Sequence, residues 1–302
     1  MPNAQVPSQD PPGHQESGQD PPGHQQSGPV AFVLGGGGVR GAVEVGMLEA
    51  LLEAGITPDL VVGSSIGAIN GALVAADPTL AVVDRLLSAW TSGHARSVFG
   101  ESWRRQLGRL ARTGTHLNSP DPLRRLLEDA LGADLQFEDL AVPFLVVAAS
   151  IERAAEHWFT SGPVIPAVLA SSSVPGLLPP TKIGEEHFID GGIVNSIPIE
   201  AAVRFGATTI YVLQVGRVED DLESPASAVD TLKVAFEIAR RHRFARDTTL
   251  LPEGVGLHVL PSGGAIDGDD KLAAYRDMSA VRRRMERAYA ATREYLQTHT
   301  RS

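Results

Sequence analysis

Apolar and polar residues follow one another along the chain in blocks that predict strands and helices in turn. Short uninterrupted apolar runs lie at 31–34, 60–62, 144–148 and 210–213, a pattern typical of strands buried on both faces. Between them, near 43–52, 68–75, 86–90 and 121–132, apolar residues recur at helical spacing. Strands that alternate with helices predict an α/β fold with a mostly parallel central sheet and helices on both faces.

The segment Gly63-Ser64-Ser65-Ile66-Gly67 stands between the second apolar run and the helical pattern that follows it. Gly-x-Ser-x-Gly between a strand and a helix is the pattern of a nucleophile elbow, a tight turn that exposes one serine hydroxyl above the sheet edge. Gly63 and Gly67 remove Cβ atoms that would clash in such a turn. Only Ser65 has a glycine two residues before it and two after it, so Ser65 rather than Ser64 is the candidate nucleophile. An ordinary strand-to-helix turn is the alternative.

A run of four glycines, Gly35–Gly38, follows the first apolar run and leads into Val39-Arg40-Gly41. Such a run has a high backbone entropy in the unfolded chain, which indicates a need for exposed N–H groups or for close approach to a ligand. Backbone N–H groups could stabilise the oxyanion of an acyl-transfer intermediate. A dinucleotide site is the alternative, since glycines 36, 38 and 41 have the Gly-x-Gly-x-x-Gly spacing.

The context of the glycine run favours the oxyanion interpretation. A dinucleotide site needs an acidic residue at the end of the second strand, but here Asp59 precedes that strand and the serine motif follows it. A phosphate-binding P-loop needs Gly-Lys-Ser/Thr after the glycines, and none is present. An oxyanion loop on one strand and a nucleophile on the next form a coherent pair.

A third motif, Asp190-Gly191-Gly192, follows a short apolar segment and would by itself be an ordinary turn. Together, the motifs at 36–41, 63–67 and 190–192 have the order and spacing found in the patatin-like phospholipases. The segments Ala170-Ser171-Ser172-Ser173-Val174-Pro175 and Asn195-Ser196-Ile197-Pro198-Ile199 also resemble that family. The resemblance covers about residues 30–215.

The resemblance implies a catalytic dyad, with Ser65 as the nucleophile and Asp190 as the base, and no histidine between them. It also implies that Gly36, Gly37 and Gly38 supply the oxyanion N–H groups. A free aspartate is a poor base at neutral pH (pKa about 3.9), so it must bond directly to the serine in a partly desolvated site. The remaining motif residues would support the site: Arg40, Gly63, Gly67, Gly191 and Gly192.

A Ser-Asp-His triad, as in α/β-hydrolases, is the competing chemistry. His242 and His258 follow Asp190, so the order along the chain permits it. His242 lies in a charged run typical of a solvated helix face, and His258 lies in a predicted strand as a core or edge residue. His187 is near Asp190 in sequence, and the other histidines fit no ordered pattern.

Composition narrows the choice of partners and cofactors. Acidic residues outnumber basic ones 36 to 26, giving a net charge of −10, which argues against nucleic acid as a partner. The chain has no cysteine and its histidines show no metal-ligand spacing, so we expect neither a metal nor an organic cofactor. Neither a secretory signal nor an apolar run of the roughly 18 residues that span a membrane is evident. We therefore expect a cytoplasmic location, with peripheral contact to a membrane as an option.

The domain organisation predicted from the sequence is a tail and one domain. Residues 1–28 contain a ten-residue repeat rich in Pro, Gly and Gln, which cannot bury a core and predicts disorder. Residues 29–302 would form one patatin-like acyl hydrolase domain that ends in a long, mixed-charge helix. The basic amphipathic segment 99–112 could be a lid or a membrane-contacting helix, or simply a helix that faces the core.

The sequence thus predicts a serine acyl hydrolase acting on phospholipids or lysophospholipids through an acyl-enzyme on Ser65. A general lipid esterase or thioesterase is one alternative. A non-catalytic lipid-binding or regulatory module on the same fold is another, although such a module has no use for a strained elbow.

Overall fold

The computed structural model of the chain describes residues 28–92, 106, 109, 111–215, 222–264 and 278–299. Eight strands in this part of the chain form one sheet: β1 (Val30–Leu34), β2 (Leu60–Ser64), β3 (Phe144–Ser150), β4 (Ala155–Phe159), β5 (Thr181–Ile183), β6 (Glu186–Asp190), β7 (Thr209–Leu213) and β8 (Gly256–Val259). The α-helices that surround it are α1 (Ala42–Glu53), α2 (Ile66–Ala76), α3 (Ala81–Thr91), α4 (Asp121–Leu131), α5 (Val164–Ser171), α6 (Gly192–Asn195), α7 (Ile199–Arg204), α8 (Ala228–Thr249) and α9 (Met278–His299). Short 3-10 helices form at Gly38–Gly41 and Phe137–Asp139.

Five adjacent strands of the sheet, in the order β3-β2-β1-β7-β8, are parallel to one another. The other strands, β4, β5 and β6, pair antiparallel. The predicted α/β fold with a largely parallel centre is therefore confirmed, and an antiparallel portion is added on the β3 side. That portion was not predicted, because β4 and β5 are short and mostly half-exposed and lack an uninterrupted apolar run.

Helices cover both faces of the sheet, as the apolar runs predicted. Along β1, Phe32 and Leu34 lie in the core that includes α1, α2 and α9, whereas Ala31 and Val33 lie in the core that includes α7. Side chains of successive residues in a strand point to opposite faces. A strand between two helical layers must therefore be apolar at every position.

Strand β3 brings two distant parts of the chain into line. One edge of β3 pairs with β4 along 146–150. The other edge is shared: Val147 pairs with Ser64 at the end of β2, and the next residue, Ala148, pairs with Asp190 at the end of β6. The last residue of β2 and the last residue of β6 therefore meet head to head along β3.

The C-terminal helix α9 packs against α1 on the outer side of one helical layer. Val281, Met285 and Ala288 of α9 are buried there. The two helix backbones approach so closely that a Cβ atom on Gly46 would lie 2.0 Å from the carbonyl oxygen of Met285. The predicted C-terminal helix is confirmed in this position.

Two sequence predictions fall largely outside the described residues. All of the N-terminal tail 1–28 except Gly28 lies outside the described residues, and so does most of the amphipathic segment 99–112. Within the described ranges, no helix combines the length and the apolar character needed to cross a membrane.

Candidate active site

The site forms where the parallel strands β1 and β2 reach their carboxyl ends, the position at which open α/β sheets usually bind ligands. Ser65 is the residue between β2 and α2, and its backbone is strained, with φ of 55° and ψ of −122°. A non-glycine residue with positive φ is uncommon and is often found at functional sites. Its peptide carbonyl accepts a hydrogen bond from the N–H of Ala68 at 2.9 Å, in the first turn of α2.

The glycines around Ser65 are required by close backbone contacts. A Cβ atom on Gly63 would lie 2.6 Å from the carbonyl oxygen of Gly67. A Cβ atom on Gly67 would lie 2.2 Å from the carbonyl oxygen of Leu34 at the end of β1. A side chain at Gly63 would therefore push β2 away from the start of α2, and a side chain at Gly67 would push the turn away from β1.

The hydroxyl of Ser65 is hydrogen-bonded directly to a carboxylate. Ser65 Oγ donates to Asp190 Oδ2 at 2.6 Å. The second carboxylate oxygen, Asp190 Oδ1, accepts the backbone N–H of Gly192 at 2.8 Å. Ser65 is 8% exposed and Asp190 is 2% exposed, so the pair is shielded from bulk water while a small part of the serine remains reachable.

Burial changes the proton affinity of Asp190. Removal from water raises the pKa of its carboxyl from 3.8 to about 6, although the hydrogen bonds from Ser65 and Gly192 oppose the rise. Desolvation destabilises the charged form of an acid, whereas donors to the carboxylate stabilise it. Asp190 is therefore a considerably better proton acceptor than a solvated aspartate and is still mostly ionised at neutral pH.

The end of α5 holds both members of the pair. Ser171 Oγ accepts the backbone N–H of Ser65 at 2.9 Å and donates to the carbonyl of Val147 at 2.6 Å. The carbonyl oxygens of Ser173 and Ser171 accept the N–H groups of Asp190 and Gly191, at 3.0 and 3.1 Å. The sequence singled out the three serines only through their resemblance to the family. No local pattern reveals that the hydroxyl of Ser171 bonds to residues 24 and 106 positions away.

The glycine-rich loop lies beside Ser65. A Cβ atom on Gly36 would be 3.4 Å from Ser65 Cβ, and a Cβ atom on Gly37 would collide with Val215, at 1.6 Å from its Cγ2. The N–H of Gly36 is bonded to the carbonyl of Ser196 at 2.8 Å. The sequence led us to expect oxyanion donors from Gly36, Gly37 and Gly38. The structure differs at Gly36, because its N–H group already donates a hydrogen bond within the fold.

The other residues that the sequence predicted to support the site lie around Ser65 and Asp190. Arg40 belongs to the 3-10 helix Gly38–Gly41 that ends the glycine loop, and its side chain is half-buried. A Cβ atom on Gly191 would lie 2.1 Å from the carbonyl oxygen of Val147, and one on Gly192 would lie 2.8 Å from the ring of Phe236. The turn after Asp190 is thus pressed against β3 on one side and α8 on the other.

The histidines considered for a triad have other partners or lie on the surface. His258 stacks on Tyr211 with ring centroids 4.7 Å apart, and its Nδ1 lies 3.2 Å from the Tyr295 hydroxyl. His187 Nδ1 lies 2.7 Å from Glu152, and His242 is exposed on α8. Both carboxylate oxygens of Asp190 already accept hydrogen bonds, one from Ser65 and one from Gly192. The geometry thus joins the acid to the serine without an intervening imidazole.

No group of three or more His, Cys, Asp or Glu side chains within the described ranges is arranged to hold a metal ion. The polar groups that surround Ser65 are hydroxyls, backbone N–H groups and one carboxylate. Such a set can activate an alcohol and stabilise an oxyanion with no further component.

Comparison with known proteins identifies the family of the chain. The family model described as patatin-like phospholipase matches residues 32–203, more than half of the chain and all three motifs of the site. Neuropathy target esterase sws of Drosophila melanogaster is 33% identical over 193 residues, which are 63% of this chain and 13% of that protein. Lysophospholipase nte1 of Aspergillus terreus is 32% identical over 195 residues, covering 64% of this chain and 12% of that protein.

Among solved structures, VipD from Legionella pneumophila aligns with a TM-score of 0.50 and 16% identity, covering 90% of this chain and 67% of that one. At that identity the likeness concerns the fold alone. The chain spans only about an eighth of the length of the two curated relatives, so the comparison with them concerns one region of much longer proteins. The match of the family model over the strands, the elbow and the aspartate shows that this chain belongs to the patatin-like phospholipase family.

Proposed function

We propose that this chain is a serine acyl hydrolase that cleaves the carboxylic ester bonds of phospholipids or lysophospholipids through an acyl-enzyme on Ser65. The observation that carries the proposal is the 2.6 Å hydrogen bond from Ser65 Oγ to Asp190 Oδ2 in a buried site. The domain responsible would comprise residues 29–302.

In the first half of the proposed reaction, Ser65 Oγ attacks the ester carbonyl carbon while Asp190 accepts the hydroxyl proton. The carbonyl oxygen becomes an oxyanion, and the bond to the leaving alcohol then breaks. Asp190, now protonated, gives its proton to that alcohol as it departs. The raised pKa of Asp190, about 6, suits both transfers, because the group is ionised before the attack and binds the proton strongly enough to carry it.

In the second half, water attacks the acyl-enzyme and Asp190 accepts a proton from that water. The tetrahedral intermediate collapses, the fatty acid leaves, and the proton returns to Ser65 Oγ. The same carboxylate therefore acts as base and then as acid in each half-reaction, and the enzyme is regenerated without a net change.

The oxyanion would be stabilised by the N–H groups of Gly37 and Gly38, next to the amino end of α2. Gly36 is bonded to Ser196, so it contributes by its close approach to Ser65 rather than as a donor. The unpaired N–H groups and the dipole at a helix N-terminus favour negative charge at this position. Preorganised donors of this kind are commonly worth about 10²- to 10³-fold in kcat each.

The substrate class rests on the family. One relative is named as a lysophospholipase and another as an esterase, and each matches more than half of this chain. A general lipid esterase or thioesterase would use the same residues and would differ only in the walls of the acyl pocket. A binding module without activity is disfavoured by the positive φ of Ser65, a strain that a hydrolase uses to expose its nucleophile.

Labelling with a fluorophosphonate, followed by peptide mapping, tests the proposal. We expect the label on Ser65 and expect Ser65→Ala to abolish both labelling and hydrolysis of a lysophospholipid and of a soluble short-chain ester. Ser64→Ala is the matched control, since Ser64 is the neighbouring serine and is fully buried. A label on Ser64 or on one of Ser171–Ser173, or hydrolysis that survives Ser65→Ala, would overturn the assignment.

A further inference from the structure

The proposed mechanism leaves one fully buried acidic side chain without a role. Glu44, in the first turn of α1, has no exposed surface. Its Oε2 accepts a hydrogen bond from Asn70 Nδ2 at 2.7 Å, and its Oε1 is buried with no hydrogen-bond partner in the described part of the chain. A buried carboxyl with an unsatisfied oxygen lowers stability, so its presence calls for another explanation.

Asn70 connects Glu44 to both loops of the site. It lies on α2, the helix that begins at Ser65, and its Nδ2 also donates to the carbonyl of Gly41 at 3.0 Å. Its Oδ1 accepts the indole N–H of Trp90 at 3.0 Å. Asn70 is completely buried, so these bonds form without competition from water.

The proton affinity of the Glu44 carboxyl differs from that of a solvated glutamate. Burial raises its pKa well above the usual value, and the Asn70 side chain and the backbone of Gly35 oppose that rise. Glu44 is joined to the end of the loop at Gly41 through Asn70. This pair therefore links α1 and α2 to the loop that carries the proposed oxyanion donors.

We infer that Glu44 and Asn70 are positioning residues that fix the glycine loop relative to the nucleophile elbow, and so set the distance between the oxyanion donors and Ser65. The donors are on the loop between β1 and α1, whereas the nucleophile is on the turn between β2 and α2. The polar contacts that join these two units in the described residues include Asn70 to Gly41 and Asn70 to Glu44. This inference rests on the proposed hydrolase function.

No side-chain hydrogen bond of the pair in the described residues goes to Ser65 or Asp190, so we expect its loss to leave the hydrogen bond between those two residues in place. What changes is the position of the loop that must meet the oxyanion. Because a displacement of about 1 Å can lower a rate by about 10²-fold, we expect a loss in kcat of about 10- to 100-fold with little change in KM.

The test compares kcat, KM and the Ki of an alkyl trifluoromethyl ketone, whose hemiketal with Ser65 places a negative oxygen where the oxyanion forms. In Glu44→Leu and in Asn70→Leu, kcat/KM per active site should fall and Ki should rise by a similar factor. Titration with a fluorophosphonate counts the active sites. When the rate is divided by that count, a loss of folded protein no longer lowers kcat/KM. Glu44→Gln keeps an acceptor for Asn70 and should stay within about threefold of the wild type.

Met47→Ala is the matched control for stability, because Met47 is fully buried on the same helix and is not part of the pair. It should lower the melting temperature while Ki and the kcat per active site stay unchanged. The double variant Glu44→Leu with Asn70→Leu should lose no more activity than the worse single variant. Each single substitution already breaks the same connection between Glu44 and Asn70. If Glu44→Leu does not fold, Asn70→Leu carries the same comparison.

An unchanged Ki in folded Glu44→Leu or Asn70→Leu, with wild-type activity per active site, would overturn the inference and leave the proposed function intact. A Ki that changes equally in Met47→Ala would also overturn it, by showing a general effect of stability. A wild-type protein that neither hydrolyses esters nor is labelled at Ser65 would overturn the proposed function and the inference with it.

Discussion

Ser65 and Asp190 are separated by 125 residues in the chain, and their side chains are joined by a 2.6 Å hydrogen bond. The bond forms because β2 and β6 end at neighbouring positions on the same edge of β3. The hydrogen bonds from the end of α5 then fix the backbone of each residue.

Replacing Asp190 with asparagine tests the dyad. Asp190→Asn keeps the size of the side chain and removes the proton acceptor, so kcat for a soluble ester should fall about 10²- to 10⁴-fold. His242→Ala and His258→Ala should keep most of the activity, because neither histidine is bonded to the acid. A folded histidine variant with activity as low as Ser65→Ala, judged by circular dichroism, would establish a triad instead.

The pH dependence of kcat/KM should report the ionisation of Asp190. Only the carboxylate accepts the serine proton, and its pKa is raised to about 6, so activity should reach a plateau above that pH. Below it, activity should fall about tenfold per pH unit. The same profile should be found in His242→Ala and His258→Ala. A flat profile down to pH 4.5, with the fold intact by circular dichroism, would exclude Asp190 as the base.

The free energy of unfolding should depend on pH through the same group. Asp190 holds its proton more tightly in the folded state, with a pKa of about 6 against 3.8, so the wild type should lose stability as pH rises through that interval. The loss should approach about 3 kcal/mol, from about 1.4 kcal/mol per unit of pKa shift. Asp190→Asn lacks this loss, so it should be similar to the wild type near pH 4 and more stable at pH 7.

Urea unfolding of the two proteins at pH 4 and pH 7 measures this difference directly. His242→Ala is the control, because an exposed histidine should leave the comparison between the two pH values nearly unchanged. An equal stability gap at both pH values would show that Asp190 does not titrate in this range.

Removal of the Ser171 hydroxyl should both disturb the elbow and lower the stability of the fold. Ser171→Ala leaves the buried N–H of Ser65 without its acceptor, which should cost about 1–3 kcal/mol of stability and slow labelling by a fluorophosphonate. Ser173→Ala is the matched control: its hydroxyl bonds to Leu169 and Thr181 and does not contact Ser65. Equal labelling rates per folded molecule in the two variants would contradict the role given to Ser171.

Activity on a soluble short-chain ester should survive excess EDTA. Each step of the proposed reaction is assigned to Ser65, Asp190 and backbone N–H groups, so no divalent cation is needed for bond cleavage. Activity that disappears with EDTA and returns with calcium or zinc would contradict the metal-free mechanism.

The parts of the fold that the sequence predicted correctly are those that depend on local patterns. The apolar run of β1, the elbow at Ser65 and the helix after it are each encoded within a few neighbouring residues. Gly63 and Gly67 could be assigned to close contacts because the turn itself demands them. Helix α4 begins at Asp121-Pro122 and ends before Gly132, as its boundary residues indicated.

The parts that were missed depend on pairing between distant segments. Nothing near Asp190 reveals that β6 runs antiparallel to β3, and nothing near Ser171 reveals that its hydroxyl bonds to the elbow. The hydrogen bond from the Gly36 N–H to Ser196 is equally hidden, because the two residues are 160 positions apart and meet only in the folded protein. Long-range hydrogen bonds of this kind leave no periodic signal in a single sequence.

The shared edge of β3 has a consequence for how such a chain can diversify. The positions of Ser65 and Asp190 are set by the pairing of Ser64 and Asp190 with two adjacent residues of β3. The distance between Ser65 and Asp190 therefore does not depend on the length of the connection before β3 or of the connection between β4 and β6. Segments can be lengthened or shortened in those connections while the pair stays in register, provided that the end of α5 keeps its hydrogen bonds to Ser65 and Asp190. In the proposed hydrolase, the walls around Ser65 can thus change without moving the pair, whereas a one-residue slip of β6 would turn Asp190 to the opposite face of the sheet.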